Sequence, residues 1–153
     1  MKHLFTILAL AGMAVFSSCS KDNTSGFVSD GKLTGTWELR RISSAMLQPM
    51  DLPAGNGATI RFSASEYARF ENGQLKKRGT YTVSDDATVE QSVCLVIPAG
   101  LFTKRIVYDN NQSATKVFID LSDGSLRFIS GCYAVDAGHS ETYVKVSNSA
   151  ITD

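Results

Sequence analysis

The chain has 153 residues, 15 Lys+Arg balanced by 15 Asp+Glu, 43% hydrophobic and 20% charged residues, and only 2 His and 3 Cys. That length suits one domain, and the composition is that of a folded chain rather than a disordered one. Zero net charge without a basic half speaks against nucleic acid as a partner, because tracking phosphates needs a basic surface. So few histidines and cysteines leave little material for a metal site or a nucleophile-base pair.

Residues 1–18 read as a signal peptide. Lys2 supplies the positive start, and Leu4 to Phe16 (LFTILALAGMAVF) form an apolar run without a charge. It falls short of the roughly 20 residues a bilayer-spanning helix needs. Phe16-Ser17-Ser18-Cys19 then places small residues before a cysteine and resembles a bacterial lipobox, with Phe16 where a branched residue is usual. That resemblance implies that Cys19 becomes the mature N-terminus and carries acyl chains such as palmitate, held in a membrane by about 0.8 kcal/mol per buried CH₂. Residue 20 is Ser rather than Asp, which points to the outer membrane of a Gram-negative cell. Residues 19–32, polar and rich in Gly and Ser, read as a flexible tether.

Residues 33–153 read as strands. The β-rich runs are Gly35–Ser43, Ala58–Ser63, Tyr67–Glu71, Leu75–Ser84, Glu90–Ile97, Lys104–Asp109, Thr115–Leu121, Ser125–Ser130 and Thr142–Ser147. Asn72-Gly73 and Asp123-Gly124 supply the positive φ of tight hairpins, with further turns expected at Ser84–Ala87 and Asp109–Gln112. Tight turns make neighbours antiparallel, so nine short strands predict an up-and-down barrel or a sandwich. Alternation gives one interior set: Trp37/Leu39, Ile60/Phe62, Ala68/Phe70, Tyr81/Val83, Val93/Leu95/Ile97, Ile106/Tyr108, Val117/Ile119/Leu121, Leu126/Phe128 and Val144/Val146.

Leu33-Thr34-Gly35-Thr36-Trp37-Glu38-Leu39 resembles the first strand of lipocalin-like domains, whose Gly-x-Trp opens the barrel. Ile60-Arg61-Phe62, Tyr67, Phe70, Glu71-Asn72-Gly73 and Gly79-Thr80-Tyr81-Thr82-Val83 resemble the hairpins that follow in small bacterial lipocalin-like lipoproteins. Ser125-Leu126-Arg127-Phe128 and Thr142-Tyr143-Val144-Lys145-Val146 resemble their closing strands. The resemblance implies an all-β, antiparallel up-and-down barrel of eight to nine strands. It also implies that Gly35 and Trp37 close one barrel end, under a basic side chain from a late strand, Arg127 or Lys145. A META-type domain is the runner-up, but the Gly-Cys-Asn segment of that family is missing; Gly131-Cys132-Tyr133 comes too late and lacks the Asn. Small barrel inhibitors of secreted proteases begin with a similar Trp-bearing strand.

Few residues carry chemistry. With Cys19 acylated, Cys94 and Cys132 remain, and in an exported domain they read first as a disulfide. Closing that loop would stabilise by about 4 kcal/mol in the chain-entropy model. Asp136, His139, Ser140 and Glu141 crowd into one Gly-containing loop, where a triad cannot set nucleophile and orienter on opposite sides of the imidazole. Asp120/Asp123 lacks the other ligands of a calcium loop. Lys76-Lys77-Arg78 is too short to track phosphates, and Asn23 and Asn111 stand in sequons without force in a bacterial lipoprotein. No enzyme, metal or cofactor is expected.

The segment Ser44–Gly57 is the most suggestive feature, since in such a barrel it overhangs the open mouth. Met46, Leu47, Met50 and Leu52 give it an apolar, adaptable face stiffened by Pro49 and Pro53, and Leu101 and Phe102 form a second apolar loop. The expectation is a lipid-anchored envelope binding module for a small apolar or amphipathic ligand. The alternative is a non-enzymatic interaction or inhibitor lipoprotein with a solid barrel. Cavity volume separates the two, because an interior filled by Phe62, Phe70, Tyr81 and Phe128 leaves a ligand no room.

Overall fold

The structure, a computed structural model, describes residues 33–88, 100–122, 124–132 and 135–149. The expected leader, Cys19, the tether, and the strand at Glu90–Ile97 with Cys94 lie outside the described residues. Among the described residues nine strands follow in order: β1 (Gly35–Ser44), β2 (Leu47–Asp51), β3 (Thr59–Phe62), β4 (Glu66–Glu71), β5 (Gln74–Asp85), β6 (Lys104–Tyr108), β7 (Val117–Ser122), β8 (Ser125–Ser130) and β9 (His139–Ser147).

Every pairing is antiparallel, and β1, β3 and β4 through β9 close on themselves when β9 returns to β1. The result is an eight-stranded barrel with one extra strand, as the hairpin signals and the lipocalin-like series imply. Closure through β1 and β9 removes the free edges that an open sheet of these lengths would expose. Asn72 (φ 49°) and Gly73 (φ 75°) make the tight turn between β4 and β5, the left-handed pair that matches the twist of a two-residue hairpin. The extra strand is β2. Its residues, expected as an irregular mouth loop, instead form a hairpin on the outer half of β1, with Ile42 opposite Met50 and Ser44 opposite Leu47. Prolines favour strand edges, where a missing N–H costs no ladder bond, so Pro49 is compatible with this terminal strand.

The core is one cluster built from inward positions: Trp37, Leu39, Ile60, Phe62, Tyr67, Tyr81, Val83, Ile106, Ile119, Leu126, Phe128 and Tyr143, with Leu33 sealing it from below. Two strands depart from the expected alternation. On β4 the lumen receives Tyr67 and Arg69, because Phe62 pairs with Tyr67 and Ile60 with Arg69; Ala68 and Phe70 lie on the other face, where the Arg61 guanidinium covers the Phe70 ring at 4.4 Å. On β9 the inward residues are Glu141, Tyr143 and Lys145, while Val144 and Val146 are 40% and 50% exposed. A one-residue slip in reading a strand moves every side chain to the opposite face. On these two strands the inward residues are polar or aromatic and apolar residues lie outside, so hydrophobic alternation points the wrong way.

Candidate functional site

The lower end of the barrel, where β1 begins and β9 ends, is closed around Trp37. Its indole is buried and donates from Nε1 to the Leu33 carbonyl at 2.7 Å. The Lys145 ammonium lies 5.4 Å from the indole centroid, within cation–π range, and Arg127 stands over Phe102 instead, also at 5.4 Å. Gly35 has φ 129°, and a Cβ there would meet the Ser147 carbonyl at 2.5 Å and the Lys145 side chain at 2.9 Å. Gly-x-Trp is therefore a packing device: the missing side chain lets β9 and the lysine stem cross directly beneath the indole.

A gap opens beside this plug. Strands β6 and β7 share only the pairs Lys104–Ile119, Arg105–Phe118 and Ile106–Val117. Before Lys104 the chain peels away from β7, and among the described residues the end of β7 pairs with β8 alone. The space between is a cavity of about 220 Å³ lined by Leu33, Val83, Phe102, Lys104, Ile119 and Leu121, among others. Phe102 is buried yet sits at φ 46°, a left-handed backbone that costs a bulky residue of order 1–3 kcal/mol and persists only where packing holds it. Leu101 and Phe102, expected as a second apolar loop that would bind ligand together with Met46 and Leu47, belong to the opposite end of the barrel from Met46.

The upper lumen is polar. Arg69 reaches across it to Glu141 at 3.5 Å, from a strand that is not β9's neighbour. The Tyr143 hydroxyl donates to the same carboxylate oxygen at 2.9 Å, and the His139 Nε2 stands 3.4 Å from the other. Tyr67 packs on Tyr108 with ring centroids 4.6 Å apart and donates to Asp109 at 3.1 Å, which also pairs with Lys77 at 3.2 Å. Burial alone would lower the pKa of Arg69, yet Tyr108, Tyr143 and Glu141 around it hold it above the ordinary arginine value. Burial pushes the Tyr108 phenol up to about 12 and, with help from the Glu141 charge, raises that of Tyr143 as well. The Tyr108 hydroxyl is buried without a hydrogen-bond partner of good geometry. These groups fill the lumen above Phe128 and Tyr143, whose rings meet edge to face at 5.5 Å. Phe62, Tyr81 and Phe128 all pack into the core; Phe70 does not.

The upper rim carries the exposed apolar side chains. Among the described residues seven large hydrophobics are exposed, and five of them, Met46, Leu47, Met50, Leu75 and Val135, belong to connections and hairpin strands at this end. Met46 and Leu47 are 74% and 73% exposed at the tip of the β1–β2 hairpin, which is tied to the β8–β9 connection by the Ala45 N–H donating to the Gly138 carbonyl at 3.0 Å. Leu52 instead packs partly against the core. The segment after it is clamped to β1. Asn56 donates to the Leu39 and Pro53 carbonyls at 2.8 and 2.7 Å, and Glu38, buried beneath, accepts from the Gly55 N–H at 2.7 Å.

Sequence reasoning missed Arg69, Tyr67 and Glu38 as interior or covered groups, whereas Tyr108 stood in the expected interior set. Only the alternation of Tyr67 and Arg69 around Ala68 hinted at the first two. His139, Ser140 and Glu141, expected in a loop, lie instead on β9, where His139 and Glu141 share the lumen face and Ser140 lies on the other face between them. Among the described residues no group of three or more His, Cys, Asp or Glu could hold a metal ion, and no helix is long and apolar enough to cross a membrane. Cys132 follows β8, half-buried, and its expected partner Cys94 is outside the described residues. No family model, curated protein or solved structure matched the chain.

Proposed function

We propose that the chain is a lipid-anchored, non-enzymatic envelope module of lipocalin-like type that binds a partner protein through its upper rim. In this reading residues 1–18 are removed, Cys19 is acylated and holds the protein at the outer membrane of a Gram-negative cell, and Cys94 and Cys132 form a bridge. The observation that carries the reading is the pairing of a filled lumen with an apolar rim. Phe62, Tyr81 and Phe128 occupy the space a barrel ligand would need, and the Arg69–Glu141 pair spans the lumen above them. Exposed Met46, Leu47, Met50 and Leu75 sit at that same end. Such side chains are adaptable and apolar, the kind that anchor protein contacts. The partner surface that fits is apolar at its centre with an acidic group toward Lys76, which is exposed next to Leu75.

The test is affinity capture from the host envelope with the acylated protein and with a Met46→Asp/Leu47→Asp variant whose circular dichroism matches the parent. The reading expects a discrete protein retained by the parent and lost from the variant. Equal retention by both, or none by either, overturns it.

A further inference from the structure

We infer that the gap between β6 and β7 at the lower end is a second binding site, for a small amphipathic acid with a short apolar body. This site is independent of the rim. Its volume of about 220 Å³ exceeds the roughly 150 Å³ at which an engineered cavity lined by Leu, Ile and Phe takes up benzene. Leu33, Val83, Phe102, Ile119 and Leu121 give it apolar walls, Thr103 and Asp120 also line it, with the Asp120 carboxylate already paired to Arg127, and Lys104 stands among them with about one third of its side chain exposed. The Lys104 ammonium holds the Asp85 carboxylate at 3.2 Å, and Asp85 is itself largely exposed. A bound acid would exchange one carboxylate for another on the same ammonium, with its apolar body turned inward.

Two features make the gap a built one. It exists because β6 stops pairing with β7 after three residues. Its wall is a phenylalanine held in a left-handed backbone, a conformation that ordinary packing does not select and that concentrates at ligand clamps. The Arg127 guanidinium, itself paired with Asp120, covers the outer side of that ring and keeps it in place.

Methyl-resolved NMR of the purified protein, titrated separately with hexanoate and with 1-hexanol, tests the site. Both probes are expected to give saturable shifts at Leu33, Val83, Ile119 and Leu121, with the Met46 and Leu47 methyls unmoved. Lys104→Met should weaken hexanoate about three- to fivefold, the size of a solvent-edge ion pair, and leave 1-hexanol unchanged. Ile119→Phe should fill the space and abolish both; Lys104→Met, at the solvent edge, carries the test if that variant fails to fold. Absence of saturable shifts at these methyls overturns the site, and equal effects of Lys104→Met on the two probes overturn the assignment of the acid to Lys104.

Discussion

The two ends of this barrel are built from the same strands by opposite means. At the lower end Trp37, Leu33, Ile60 and Phe62 pack to near-zero exposure and a lysine covers the plug from outside. At the upper end the lumen is occupied by a guanidinium, a carboxylate and phenols that bond to one another across it. An apolar plug is held by area removed from water, so deleting a side chain from it is costly. An ionic plug is nearly balanced between desolvation and attraction, so its value lies in pairing: either partner alone is a liability. The lower end therefore supplies stability. The upper end fixes how the strands sit around a rim whose apolar side chains face solvent.

The largest expected effect breaks the lower end. Trp37→Ala should cost about 3–5 kcal/mol, read as a fall in the denaturation midpoint. A loss below about 1 kcal/mol would mean that Trp37 is not the plug.

The register on β9 comes next. Tyr143→Ala should destabilise by about 3 kcal/mol or more, and Val144→Ala, one residue along, by less than about 1 kcal/mol. Equal effects, or the reverse order, would return β9 to the alternation its valines suggest.

The ionic plug is tested by a cycle. Glu141→Gln and Arg69→Met should each cost about 1–3 kcal/mol, below the range for fully buried pairs because both side chains keep some solvent contact. The double variant should cost less than the sum. Additive costs would show that the two residues do not sense each other.

Alkaline pH sharpens the same contrast at one residue. The Tyr108 phenol titrates near 10 in the unfolded chain and at about 12 in the fold. The unfolded state therefore loses its proton first, and stability falls as pH rises from about 10 to about 12, by at most about 2.7 kcal/mol from this group. Tyr108→Phe should remove this group's share and leave the part that comes from Tyr143 and Tyr81, whose phenols burial also raises. At neutral pH it should raise stability by about 1 kcal/mol, because the hydroxyl it deletes is buried without a well-formed hydrogen bond to offset its desolvation. pH-jump unfolding of the two proteins side by side reads both effects.

The same contrast explains how much the residues announced. Barrel class, hairpin turns at Asn72-Gly73 and the inward faces of β1, β3, β5 and β8 were legible because their inward positions are apolar. Trp37 beneath a late-strand cation was legible as a choice between Arg127 and Lys145, and only the crossing at Gly35 decides it. The faces of β4 and β9 were not legible, since Arg69 and Glu141 satisfy each other across the lumen and neither shows that partner locally. Nor was β2: Leu47-Gln48-Pro49-Met50-Asp51 carries a proline and turn-like neighbours, and it becomes a strand only because β1 extends past β3 and offers it an edge. The gap at Phe102 depends on how far β6 pairs with β7, a tertiary quantity that no local pattern encodes.

The central claim is that the rim, and not the wall or the lumen, meets a partner. A photo-crosslinking amino acid placed singly at Leu47, on the rim, and at Val144, on the wall, measures this in the living host. The account predicts a discrete protein adduct from position 47 and none from position 144. Adducts of equal yield from both positions, or none from position 47, would contradict it.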